Sequence, residues 1–248
     1  MTDRAAGRSG GWRMALAAWA VPAIAAVPMS RAVFRIQDPA TAWAATTAAP
    51  AGIWRVPLAW HVTLFMGLQS SMGYIVFGWM PSMLQSRGLD PGQAGALAGL
   101  SIIVQAPVAM AVSTWAGRVS DHRAAIAAAS LLCPAAVAAC MVVPEPALVV
   151  AIVPLGVIQG SLLTLGLTTI GMRSGNASVA AQLSGMSQGI GYAIAALGPA
   201  AAELLHARSG GWTEVLWLYG AIGAASAVTG MGADRPRMIG ARLAQEPA

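Results

Sequence analysis

Apolar residues along this chain fall into long runs separated by short charged turns. The clearest pair lies between Trp60 and Arg123. One run extends without a charge from Arg55 to Arg87, and a turn follows at Arg87-Gly88-Leu89-Asp90-Pro91-Gly92. A second run leads to Gly117-Arg118-Val119-Ser120-Asp121-His122-Arg123. Roughly 20 apolar residues cross the hydrocarbon core as a helix, so the pair reads as a membrane hairpin with a charged turn. Successive charges mark five more runs: Arg13 to Arg31, Arg123 to Glu145, Glu145 to Arg173, Arg173 to Glu203 and Glu214 to Asp234. This predicts seven transmembrane helices. The first, over residues 14–30 with Pro22 and Pro28, is at the short end of the spanning range. Between Arg31 and Arg55 the chain is rich in Ala, Thr and Pro without an amphipathic period, as a linker is.

Runs of this length satisfy their backbone in lipid as helices, whereas barrel strands alternate every second residue over about ten residues. The predicted fold class is therefore an all-α membrane protein. Composition agrees, with 57% hydrophobic and 9% charged residues, against about half and about a quarter in soluble domains. The net charge of +5 comes from Arg alone, scattered without a cluster that could follow a phosphate backbone, so nucleic acid is not an expected partner. With seven spans, nine Arg fall on the side of the linker and C-terminus and five on the other. By the positive-inside rule, the C-terminus is then cytoplasmic in a multi-pass protein of the cell membrane. Cys133 and Cys140 sit two turns apart on one helix, about 10.5 Å along its axis, too far for a disulfide.

Ser9-Gly10-Gly11-Trp12 recurs as Ser209-Gly210-Gly211-Trp212, each copy just before a short apolar run. The spacing of six helices is that of a transporter built from two parallel six-helix halves, which makes the first helix the last of an earlier half.

No Asp, Glu or Arg falls at mid-depth, so no charged relay declares itself. Amides and hydroxyls stand out instead. Helical spacing puts Thr63, Gly67, Ser70 and Tyr74 on one face of the second span with Gln69 beside it. The third span carries Ser101 and Gln105, the fifth Gln159 and Thr164, and the sixth Ser184, Gln188 and Gly191 with Tyr192 alongside. Two readings stand: interhelical hydrogen bonds as packing glue, or a shared polar cavity lined by Gln69, Ser70, Tyr74, Gln105, Gln159, Gln188 and Tyr192. Gly95 with Gly99, Gly156 with Gly160, and Gly185 with Gly189 have the spacing that permits close helix contact. His61 at a helix start, His122 in a turn and His206 in an outer loop cannot converge on a metal. No base accompanies a serine at depth, so enzyme chemistry and a cofactor are not expected. In the turn after the third span, Asp121 can cap the helix starting near Ala124, while Gly117 opens the turn and Arg118 and Arg123 hold it at the cytoplasmic surface.

These features resemble the major facilitator superfamily, and within it the cyanate and nitroimidazole transporter group. The likeness is carried by Ala59-Trp60 with Phe65-Met66-Gly67-Leu68-Gln69-Ser70, by Trp79-Met80-Pro81-Ser82-Met83-Leu84, by Arg87-Gly88-Leu89, by Ala116-Gly117-Arg118 with Asp121, and by Leu183-Ser184-Gly185-Met186-Ser187-Gln188 with Gly191-Tyr192 and Leu197-Gly198-Pro199. Gly117 and Asp121 fit the family's cytoplasmic turn, whereas Ala124-Ala125 replace its basic ending. The resemblance implies four segments: the last helix of an N-terminal half over residues 1–30, a central cytoplasmic linker over 31–56, a C-terminal six-helix half over 57–233, and a cytoplasmic tail over 234–248. It implies transport of a small anionic or polar solute, such as a cyanate-like anion, by alternating access. The chain would be the C-terminal half of such a transporter, truncated or begun at an internal start, in contact with the lipid bilayer. The alternative is a non-transporting membrane subunit or a split-transporter half that needs a separate N-terminal half.

Overall fold

In a computed structural model of the chain, residues 52–239 are described, together with scattered positions between 17 and 28. The chain divides into two units at Ala49 and Pro50. In the first, the described positions Ala17, Ala20, Val21, Ile24, Ala26, Val27 and Pro28 are helical, within the span predicted over residues 14–30. The rest of that span, the first Ser-Gly-Gly-Trp copy and most of the linker lie outside the described residues.

The second unit holds six α-helices among the described residues: α1 Pro57–Gln85, α2 Pro91–Ala116, α3 Arg123–Val142, α4 Leu148–Met172, α5 Ala177–Ser209 and α6 Thr213–Ala233. Their ends follow local chemistry. Pro57 and Pro91 occupy first-turn positions, where the missing N–H costs nothing. Asp90 Oδ1 accepts from the N–H groups of Gly92 at 2.8 Å and Gln93 at 3.2 Å, and Asn176 Oδ1 accepts from Val179 N–H at 2.9 Å, both satisfying orphan donors. At the far end of α1, the Arg87 guanidinium donates to the carbonyls of Cys140 at 2.6 Å and Val143 at 2.5 Å, so a cation closes the C-terminus of α3.

Helix α5 runs past Glu203, where the charge gap had placed its end, and stops at Gly210, whose φ of 68° is left-handed. His206 consequently lies in the last turn of α5 and not in a loop. It stacks on Trp212 with ring centroids 3.9 Å apart, and Trp79 of α1 closes on both. The second Ser-Gly-Gly-Trp copy is thus a helix stop followed by an aromatic anchor.

Five of the six helices are long and apolar enough to cross a membrane, and α1 is the exception. The reason is position. Helix α1 packs against α2, α4, α5 and α6, and a helix enclosed by protein can carry amides and hydroxyls that lipid would reject. The outer helices turn Ile103, Met110, Leu132, Val150, Leu197 and Trp217 outward, as lipid-facing surfaces do.

Close approach at α1–α5 comes from Gly67 and Gly191: a Cβ on Gly67 would lie 2.8 Å from Gly191 O. Thr63 and Ser187 hydroxyls meet across the same contact at 3.4 Å, and Trp79 Nε1 donates to Pro199 O at 3.3 Å. Of the three predicted glycine pairs, one makes a helix contact. Gly156 and Gly160 of α4 abut Ser101 and Gln105 of α2, whereas a Cβ on Gly95, Gly99, Gly185 or Gly189 would meet nothing within 4 Å. Spacing of four defines a stripe, but which way the stripe turns is set by the neighbouring helices.

Candidate functional site

A pocket of about 170 Å³ lies between α1, α2, α4 and α5. It is lined by Gln69, Ser70, Met72, Gly73, Tyr74 and Phe77 of α1, Gln105 of α2, Gln159, Leu162 and Leu163 of α4, and Tyr192 of α5. Six of the seven polar residues singled out above therefore meet on one wall. Gln188 does not: it is exposed on α5, and its Nε2 donates to Ser184 Oγ at 2.7 Å.

Within the pocket, Gln69 Nε2 donates to Ser70 Oγ at 2.8 Å and to its own helix at Met66 O. Gln159 is 6% exposed, and its Nε2 donates to Tyr219 Oη at 3.3 Å. Tyr219 is fully enclosed, and its hydroxyl donates to Met72 O at 3.2 Å. Of the side chains lining the pocket, Gln105 and Gln159 each have one polar atom, Nε2 and Oε1, buried with no partner among the described residues. Tyr74 and Tyr192, with rings 6.4 Å apart at 52°, bring α1 and α5 together at the same pocket. Among the described residues, no charged side chain lines it. The surface offers hydrogen bonds and aromatic faces, which suits a small polar solute and supplies no counter-charge.

Spacing within a single helix did not reveal Tyr219, because its partners lie far away in sequence, at Met72 and Gln159. Its one legible signal was that it is the lone tyrosine of the last span.

At one end of the bundle lies a second polar cluster. Gly117, Arg118, Asp121 and Arg123 are exposed, and Asp121 Oδ1 accepts from Arg123 N–H at 2.9 Å, so α3 begins one residue before the predicted start. Between them His122 is buried. Its backbone N–H donates to Asp234 Oδ2 at 2.5 Å, and its Nε2 lies 3.1 Å from Ala116 O. Asp234 Oδ1 pairs with the Arg173 guanidinium at 2.5 Å, with Asp234 fully buried and Arg173 5% exposed. Beyond α6, Ile239 forms a parallel bridge with Ser174, its N–H donating to Arg173 O and its carbonyl accepting from Gly175 N–H. In the sequence Arg173 and Asp234 mark span ends, and charges so rare beside apolar runs are the hint that they pair.

Residues 63–246 match the Major Facilitator Superfamily. The chain is 36% identical over 188 residues to the 2-nitroimidazole transporter of Escherichia coli, covering 76% of this chain and 48% of that protein. It is 35% identical over 234 residues to an uncharacterized transporter of Bacillus subtilis, covering 93% of this chain and 57% of the relative. The chain thus spans about half the length of these relatives. No solved structure matches it significantly.

Proposed function

Because the chain belongs to the major facilitator superfamily, a family of membrane transporters and not of enzymes, we propose that its six-helix unit forms one half of a solute path working by alternating access. The pocket wall of Gln69, Ser70, Tyr74, Gln105, Gln159 and Tyr192 contacts the solute. Convergence of these side chains from four helices on one uncharged pocket is the observation that carries the reading. The opposite wall is supplied by a second six-helix half, joined to this chain or separate from it, since alternating access needs two bodies that rock about a shared site. The solute is small and polar, of the size of the nitroimidazole in the relative's name. A subunit that only scaffolds a partner has no use for such a pocket.

Proteoliposomes holding the chain with an N-terminal half should take up 2-nitroimidazole above empty-liposome leak, and Gln159→Leu should reduce uptake at least tenfold at equal protein. Uptake by the chain alone, or none with both halves present, overturns the reading.

The Arg bias sets the orientation we propose: the α2–α3 turn and the residues after α6 face the cytoplasm. Reporter fusions after Arg123 and Met238 should report cytoplasm, and fusions at Gly88 or Arg208 the opposite side. An external signal at Arg123 reverses the topology.

A further inference from the structure

A second pocket, of about 340 Å³, opens at the start of α1 and shares no residue with the first: it is lined by Arg55, Pro57, Trp60, His61 and Leu64. Its lining changes in character along the helix. Arg55 is exposed, and among the described residues its guanidinium has no hydrogen bond or ion pair. Trp60 follows, partly exposed, with its Nε1 donating to Trp54 O at 2.8 Å and the two indole rings edge to face at 6.4 Å. An indole has one donor and no acceptor, so Trp60 offers the pocket an apolar face. His61 forms the inner wall: its Nδ1 is buried, and a Cβ on Gly232 of α6 would collide with the ring. Leu64 lies one turn beyond Trp60, about 6 Å further along the helix. No carboxylate lines the pocket among the described residues. Charges exposed at this end of the bundle are mostly cations, Arg118, Arg123, Arg235 and Arg237 against Asp121, since Asp234 is buried and paired with Arg173.

A ligand that fits must match an unpaired cation at one end and an aromatic, then aliphatic, wall at the other. A soluble anion answers only the first demand, and an apolar molecule only the second. We propose that this pocket holds the headgroup of an anionic phospholipid, with the phosphodiester on Arg55 and the glycerol and first acyl carbons along Trp60 and Leu64. The guanidinium fork suits two phosphate oxygens at once. Indoles at the entry of a span, as Trp54 and Trp60 are, sit at the level of the headgroups. A zwitterionic lipid brings its own cation to an end of the bundle already rich in Arg, whereas an anionic one brings the charge that this end lacks.

Native mass spectrometry of the purified full chain in detergent, supplied with equal amounts of phosphatidylglycerol and phosphatidylcholine, reads the selection directly. One phosphatidylglycerol should be retained in preference to phosphatidylcholine. Arg55→Gln should cut that retention about fivefold, the worth of one cation beside an anionic headgroup, whereas Arg118→Gln, the same charge change at the same end but outside the pocket, should change it by less than about twofold. Both residues are exposed, so neither change touches the core. Equal losses for the two variants overturn the site, because a diffuse field of Arg then holds the lipid. Equal retention of the two lipids by the unaltered chain overturns it as well. Release of phosphatidylglycerol by an excess of inorganic phosphate overturns the lipid as the occupant and makes the pocket a site for soluble anions.

Discussion

Replacing Asp234 by alanine should lower the stability of the purified chain by about 3–5 kcal/mol, the cost of leaving one member of a buried ion pair unmatched. The carboxylate serves three elements at once. It pairs with Arg173 at the end of α4, accepts the backbone N–H of His122 before α3, and sits at the end of α6 itself. Removing it strands a guanidinium that is already only partly satisfied, since Arg173 Nε has no partner among the described residues. Arg173→Ala should cost a similar amount. The double replacement Asp234→Leu with Arg173→Met should recover much of the loss, because two apolar side chains leave no unpaired charge. Thermal unfolding in detergent measures all three. A loss below about 1 kcal/mol for Asp234→Ala would mean that the pair is hydrated, as exposed ion pairs are.

The second large effect is steric. Gly67→Leu should destabilise the bundle by about 3 kcal/mol or more, at the upper end of overpacking costs. The obstacle is backbone: the first added carbon would stand 2.8 Å from Gly191 O, and a Cβ on Gly191 would in turn stand 3.1 Å from Thr63 O. No side chain can swing aside, so α1 and α5 must separate and give up the Thr63–Ser187 and Trp79–Pro199 hydrogen bonds. Gly189→Leu is the matched control. It lies two residues from Gly191 on an exposed part of α5 with open space around it, and should change stability by no more than about 0.5 kcal/mol. Equal losses for the two would place α5 in a different rotation about its axis.

That rotation separates what the residues announce from what only packing decides. The extents of the spans were legible because lipid excludes charge, so Arg55, Arg87, Asp90 and Arg118 bracket α1 and α2 closely. Where the next charge lies inside a helix, as Glu203 does, the rule ends the helix too early, and the stop is given by Gly210, which alone tolerates the left-handed turn. The polar wall was legible residue by residue, since amides are conspicuous in an apolar run. Gln188 was as conspicuous as Gln159, yet the α1–α5 contact turns it out of the pocket. The same contact leaves Gly185 and Gly189 open. Tyr219 and Asp234 were hidden for another reason: Tyr219 lies 147 positions from Met72 and 60 from Gln159, and Asp234 lies 112 from His122 and 61 from Arg173. No local period reports a contact of that length.

The buried latch also sets an order of assembly. Chains emerge from the ribosome N-terminus first, so Arg173 and the backbone N–H of His122 are made well before the carboxylate that satisfies them, 61 and 112 positions downstream. Until Asp234 arrives and Ile239 bridges back to Ser174, the ends of α3 and α4 lack their common anchor. A chain interrupted before Asp234 therefore leaves the Arg173 guanidinium and the His122 N–H without the carboxylate that joins them at this end of the bundle.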